Sequence, residues 1–356
     1  MRKAKGAIHN RIERRDTWAG SGESSPRVNS EAQLLGVCVR HALAAVLSLV
    51  LALAPAPAMC QTNGGGWSLI NGNLQKRAEG VVSMMQYTLF PDVATSSLSI
   101  SSGNTGNPDL NMVQAGGGFT VSRSFPLYLE GNAAISRYDP TFIATNGTDT
   151  REIPTKWTTV TGTVGVGWDF RLTPELVLRP MGNFTLGHME SDLSAAVRVI
   201  EGETDKEISF LENGRLNAIG LGGSVMLDYE HYRRDYEIDV EFRFTNIYLQ
   251  SIPGTSEGVK GSEMAQNLNW WSRWRAPIGL TAFHRPVRYV LEFTYSYYFG
   301  NQDNMLGFNH LVSLGGGLEL DVSAYQPLFI TRLRLMARYR YGEFVSGWTI
   351  GLGISF

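Results

Sequence analysis

Cysteine is almost missing from this chain: 356 residues contain two, Cys38 and Cys60, both within the first sixty. That leaves the body of the chain without a disulfide framework, a cysteine-based metal cluster or a cysteine–histidine nucleophile. An excess of one charge is missing too. With 31 basic and 33 acidic residues the net charge is −2, so no chain-wide positive field exists to hold nucleic acid by counterion release. Charged residues make up 18%, below the usual quarter. Nor does any apolar run reach the roughly 20 residues of a membrane-crossing helix; the longest, Ala42 to Ala54, has 13.

That short run has another use. Arg40 and His41 precede it, and Ala54-Pro55-Ala56-Pro57-Ala58-Met59-Cys60-Gln61 follows it. Charge, apolar stretch and small-residue cleavage site stand in the order of a secretory signal, so residues 1–60 are expected to be a leader and signal peptide. The residues ahead of the run are many for a signal's charged region: either the leader is extended or translation starts near Val37. Lipidation of Cys60 calls for small residues just before it, and Met59 does not fit. Residues 61–92 read as a periplasmic or lumenal linker. Gly64-Gly65-Gly66 is flexible, and Leu74, Ala78, Val81 and Met85 recur at helical spacing, which predicts a short helix in or under the following domain. Met85, Tyr87 and Leu89 also alternate, so an extra strand competes with that reading.

What is abundant is glycine, 39 residues, and aromatics at 11%, together with a period of two. Counting back from the C-terminus, Phe356, Ile354, Leu352, Ile350 and Trp348 alternate with Ser355, Gly353, Gly351, Thr349 and Gly347. One face is apolar and the other small or polar, the pattern of a strand with lipid outside and a lumen inside. The segment 328–342 sets Leu333, Leu335, Tyr339 and Tyr341 opposite Arg332, Arg334, Arg338 and Arg340. Segments 308–322, 286–299 and 235–248 repeat the dyad, and matching runs lie at 93–102, 111–122, 127–138, 156–170, 175–188, 214–230 and 266–276. An exported chain without a spanning helix crosses a membrane only as a closed barrel. The predicted fold is therefore all-β, a 12-stranded antiparallel transmembrane β-barrel over 93–356.

Connections alternate in length. Short ones fall near Ser124-Phe125-Pro126, Thr173-Pro174, Arg233-Arg234, 276–285 and 324–327; long ones fall at 139–155, 189–213 and 249–265. Outer-membrane barrels pair short periplasmic turns with long outer loops, which puts both barrel ends in the periplasm. Aromatics form two belts, with Trp168, Phe170, Tyr229, Tyr236 and Phe356 at the short-turn end and Tyr248, Trp270, Tyr297, Tyr341 and Trp348 at the other. Belts of amphipathic rings suit two headgroup layers. A soluble β-sandwich would account for the charged faces as its wet side, but for neither the belts nor the terminal aromatic.

The lumen residues should carry whatever the barrel does. Arg332, Arg334, Arg338 and Arg340 are expected to oppose Glu319 and Asp321 on the adjoining strand, and Glu237, Asp239 and Glu241 to adjoin Arg273 and Arg275. Because each acidic ladder has a basic partner strand, cross-strand ion pairs are the favoured reading; a charge-lined pore is the other. Little points to catalysis. His310 and Ser313 stand at an odd spacing and so on opposite faces of a strand, and His188 reads as a surface residue beside the acidic stretch from Glu201 to Glu207. The glycine clusters at 116–118, 222–223 and 315–317 lie inside strands and open no helix, so they do not form phosphate loops. No metal or other cofactor is expected, and no enzymatic activity.

The run Gly347 to Phe356, with Trp348, Leu352, Ile354 and terminal Phe356 on one face, looks like the signal that the barrel-assembly machinery recognises. Gly167-Trp168-Asp169-Phe170-Arg171 to Leu178-Arg179-Pro180 is similar to an inner hairpin of autotransporter translocator domains. With its twelve strands, the chain resembles the solitary, passenger-less autotransporter-type β-barrel family. It departs from ordinary autotransporters in having only about 30 residues between signal and barrel, so export of a passenger is not carried over. The resemblance implies a non-enzymatic monomer of the bacterial outer membrane. Its partners would be outer-membrane lipid, lipopolysaccharide and, during biogenesis, the assembly machinery. Two alternatives remain open: a porin-like diffusion channel for anionic solutes, and a surface adhesin acting through its outer loops.

Overall fold

The computed structural model describes residues 68–70, 74–84, 93–100, 108–193, 214–300, 308–322 and 331–355. The leader with Cys38 and Cys60, the alternation at Met85, Tyr87 and Leu89, the acidic stretch 201–207 and Phe356 lie outside the described residues. A short strand β1 (Ser68–Leu69) precedes helix α1 (Leu74–Met84). Strands follow: β2 (Val93–Ile100), β3 (Asp109–Thr120), β4 (Leu127–Tyr138), β5 (Thr141–Thr145), β6 (Thr150–Trp168), β7 (Phe170–Thr173) and β8 (Leu176–Leu193). After them come β9 (Arg215–Tyr232), β10 (Glu237–Ser251), β11 (Ser262–Ala282), β12 (Arg285–Gly300), β13 (His310–Asp321), β14 (Arg332–Gly342) and β15 (Val345–Ser355).

Twelve of these, β2, β3, β4, β6 and β8 to β15, form one antiparallel ladder, each paired to the next. The ladder closes because β15 returns to β2, with Val345 opposite Ile100 and Leu352 opposite Val93. Closure leaves no unpaired edge along the wall, the condition lipid imposes on a sheet. The phase agrees with the sequence dyad. On β14, Leu333, Leu335, Tyr339 and Tyr341 face out while Arg334, Met336, Arg338 and Arg340 are buried inside. On β15, Trp348, Ile350, Leu352 and Ile354 face out and Thr349 is buried.

The strands outrun several expected boundaries. The stretch 139–155 is not a loop but a hairpin extension, in which β5 folds onto β6 from Thr141 opposite Pro154 to Thr145 opposite Thr150. Likewise 276–285 continues β11 through an irregularity between Pro277 and Thr281, and a two-residue turn then leads into β12. Pro277 and Gly279 obscure the period there, because proline cannot donate to a strand ladder and glycine has no side chain to alternate. Phe283 and His284, the turn residues, both have positive φ, 52° and 61°, the type I′ geometry that matches strand twist but burdens residues other than glycine, asparagine or aspartate. His284→Gly should therefore stabilise the barrel by about 1 kcal/mol. Urea unfolding in lipid vesicles checks this, and a lower midpoint for the variant would contradict it.

Candidate functional site: the barrel lumen

Inward side chains at the short-turn end form one contiguous ion-pair network. Register places Arg334 opposite Glu319 and Arg332 opposite Asp321, and the Arg334–Glu319 contact is 3.1 Å. Arg332 also reaches across the lumen to Glu237 on β10 at 2.6 Å. Glu237 takes a further contact from Arg288 at 2.5 Å. Arg275 completes the network, 2.6 Å from Asp239 and 3.6 Å from Glu319.

A second group sits one step higher. Arg273, Glu292, Gly315 and Arg338 occupy one row across β11 to β14. Glu292 accepts from Arg273 at 2.8 Å and from Arg338 at 2.5 Å. The second contact skips a strand, and Gly315 is what permits it, since a Cβ there would meet Arg338 Cγ at 2.8 Å.

Two further groups complete the polar interior. Arg243 donates a forked pair of hydrogen bonds to Glu130 on the far wall, 2.8 and 2.7 Å, and Asn183 donates to the same carboxylate at 3.1 Å. Arg179 is held by Asp169 at 2.5 Å and Asp228 at 3.0 Å, with its guanidinium 3.8 Å from the Tyr128 ring centroid. A charge taken out of water is tolerated when paired and hydrogen-bonded, and these side chains meet that condition through each other.

At the long-loop end the lumen is occupied by α1, whose buried face is apolar apart from Arg77 and Glu79. Leu74, Ala78, Val81 and Val82 of α1 are fully buried in a cluster with Tyr138, Trp157 and other wall residues. Gly187 makes room for the helix, because a Cβ there would lie 2.6 Å from Val82 Cγ1; Gly261 does the same for Gln75. Ahead of the helix, β1 pairs with β5, Ser68 opposite Thr145 and Leu69 opposite Ala144. Among the described residues no helix is long and apolar enough to cross a membrane, and no group of His, Cys, Asp or Glu could hold a metal ion.

The eleven charged residues read from sequence thus lie on the inner wall, but their partnering differs in part. Arg338 and Arg340 stand opposite Gly315 and Ser313, not opposite Glu319 and Asp321. Glu241 is opposite Trp271 rather than an arginine. Glu292, Glu130, Arg179, Asp169 and Asp228 belong to the same polar interior. Glu292 lies on the inward face of the 286–299 alternation, whereas the Arg243–Glu130 contact joins residues 113 apart in sequence and depends on how the wall closes. His310 and Ser313 lie on opposite faces of β13, Ser313 buried inside.

No family model matches the chain and no curated protein matches it. Solved structures do resemble it in fold. The β domain of the Bordetella autotransporter BrkA is 13% identical, covers 74% of this chain and 97% of its own, and has a TM-score of 0.43. The transport unit of the autotransporter AIDA-I from Escherichia coli is 10% identical, with 79% and 99% covered and a TM-score of 0.46. The KdgM porin is 8% identical, with 74% and 99% covered and a TM-score of 0.32. The chain's own geometry carries the conclusion: a closed twelve-stranded ladder, an apolar outward band and a polar interior make it an integral β-barrel of the bacterial outer membrane.

Proposed function

We propose that this barrel is a non-enzymatic, translocator-type pore occupied by its own N-terminal segment, with the long loops at the cell surface. The observation that supports this is the route of the chain. Strand β2 starts toward the short-turn end, whereas β1 pairs with the β5–β6 hairpin at the long-loop end, and α1 lies inside the barrel between them. The described part of the segment ahead of the barrel thus has α1 in the lumen and β1 at the loop end. A cysteine placed at Ser68, with Cys60 changed to serine, should react with a membrane-impermeant maleimide on intact cells. Labelling only after the outer membrane is broken would overturn the orientation.

A free diffusion channel for anionic solutes is less well supported, because the arginines that would attract anions are engaged by Glu237, Glu292 and Glu319. In planar bilayers the intact barrel should be silent, and deletion of 74–84 should produce stepwise openings. Steady conductance by the intact barrel would favour the channel instead. Gly187→Leu, which drives a side chain into the space of Val82, should also open the lumen intermittently.

A further inference from the structure

The chain between β10 and β11 is a strap whose shape follows from its residues. Ile252-Pro253-Gly254-Thr255 sets proline second and glycine third, the residue pattern of a type II turn. Gly254 has φ 92°, and the Thr255 amide donates to the Ile252 carbonyl at 3.3 Å. Two hydroxyls then fasten the strap to the first residues of β9. The Thr255 hydroxyl accepts from the Asn217 amide at 3.0 Å and donates to the Ile252 carbonyl at 2.8 Å. The Ser256 hydroxyl accepts from the Arg215 amide at 3.0 Å, and the Ser256 amide donates to the Arg215 carbonyl at 2.8 Å. Where the strap closes, Ser251 and Gly261 hold each other through two hydrogen bonds of 3.0 Å. The strap has two sides: Pro253, Gly254, Glu257 and Lys260 are exposed, whereas Thr255 and Val259 are buried.

The buried side rests on the helix. A 3-10 turn, Glu257–Val259, packs against α1, and Val259 belongs to the apolar cluster that holds Leu74, Ala78, Val81 and Val82. Strands β6, β8 and β11 also pack against α1, but the barrel ladder fixes those three, whereas the turn lies outside it. Toward the short-turn end the lumen is crossed by ion pairs. The way out for the helix is therefore the loop end, where β1 and the strap lie. The seat is also imperfect, because Arg77 Nη1 of α1 is buried and finds no acceptor among the described residues. Burying a polar group unpaired costs free energy that is regained when the group reaches water.

We infer that the strap 252–261 is the catch that keeps α1 in the lumen: fastened to β9 it holds the helix in its seat, and freed from β9 it lets the helix move toward the loop end. This rests on the plugged-pore reading above, and the test separates the two. The full chain, with Cys38 and Cys60 changed to serine and the buried Val82 of α1 changed to cysteine, is folded into lipid vesicles, and its rate of reaction with a maleimide is measured. With the strap intact the reaction should be slow. Thr255→Val keeps the shape of the side chain but leaves the Asn217 amide without its acceptor, and should raise the rate about tenfold. Val259→Asp, which sets a carboxylate in the apolar cluster, should raise it further. Replacing 252–260 by Asn-Gly, a two-residue turn between the already bonded Ser251 and Gly261, should raise it most and give stepwise openings in planar bilayers. Wild-type mobility of the unheated protein on gels shows for each variant that the barrel has folded. Equal rates with intact and altered straps would overturn the catch and leave the plug standing. Fast reaction with the strap intact would mean that α1 is not seated in the lumen, and would overturn both.

Discussion

Glu292→Leu is expected to destabilise the folded barrel by about 3 to 5 kcal/mol, the cost of breaking a buried ion pair by removing one partner. One carboxylate here serves two guanidiniums, Arg273 at 2.8 Å and Arg338 at 2.5 Å, and both arginines are buried. Removing the acid takes a counter-charge from each. Removing Arg338 instead leaves the Arg273–Glu292 contact in place, so Arg338→Leu should cost clearly less. Glu292→Gln, which keeps an acceptor oxygen but not the charge, should fall between them. Equilibrium unfolding in urea, with the barrel in lipid vesicles, orders the three variants. If Arg338→Leu proved more damaging than Glu292→Leu, the shared-carboxylate account of this row would be wrong.

Leu335→Arg tests the other face of the same strand. Leu335 points outward, 55% exposed, between Leu318 on β13 and Leu352 on β15, and so lies in the apolar band. An arginine near the middle of that band costs about 2 to 4 kcal/mol. The variant should fold into vesicles in lower yield than wild type. A polar substitution three residues away at Arg338 meets a polar wall instead, and Arg338→Gln should fold nearly normally. A one-residue slip in register exchanges every inward and outward position, so a harmless Leu335→Arg with a damaging Arg338→Gln would invert this strand.

The charged lumen was partly legible in the sequence, and the limit falls at identifiable residues. Arg334 and Glu319 could be paired from alternation because they lie opposite on adjacent strands. Arg338 could not be assigned to Glu292, because its side chain passes over Gly315 to a strand two places away. The contact from Arg332 to Glu237 spans 95 residues and crosses the lumen. Strand ends were misplaced where proline or glycine interrupts the period, as at Pro277 and Gly279, and where pairing continues beyond the membrane, as in the β5–β6 extension.

By itself the sequence determined the fold class, the strand phase and the two chemical faces. Side chains on a strand alternate with a period of two, and an apolar face backed by a polar one can be read without knowing the partner strand. Tertiary structure alone decided which charges meet across the lumen and that α1 lies inside the pore. These depend on how far each strand is staggered against its neighbour when the wall closes. That stagger belongs to the whole barrel and is written in no single segment.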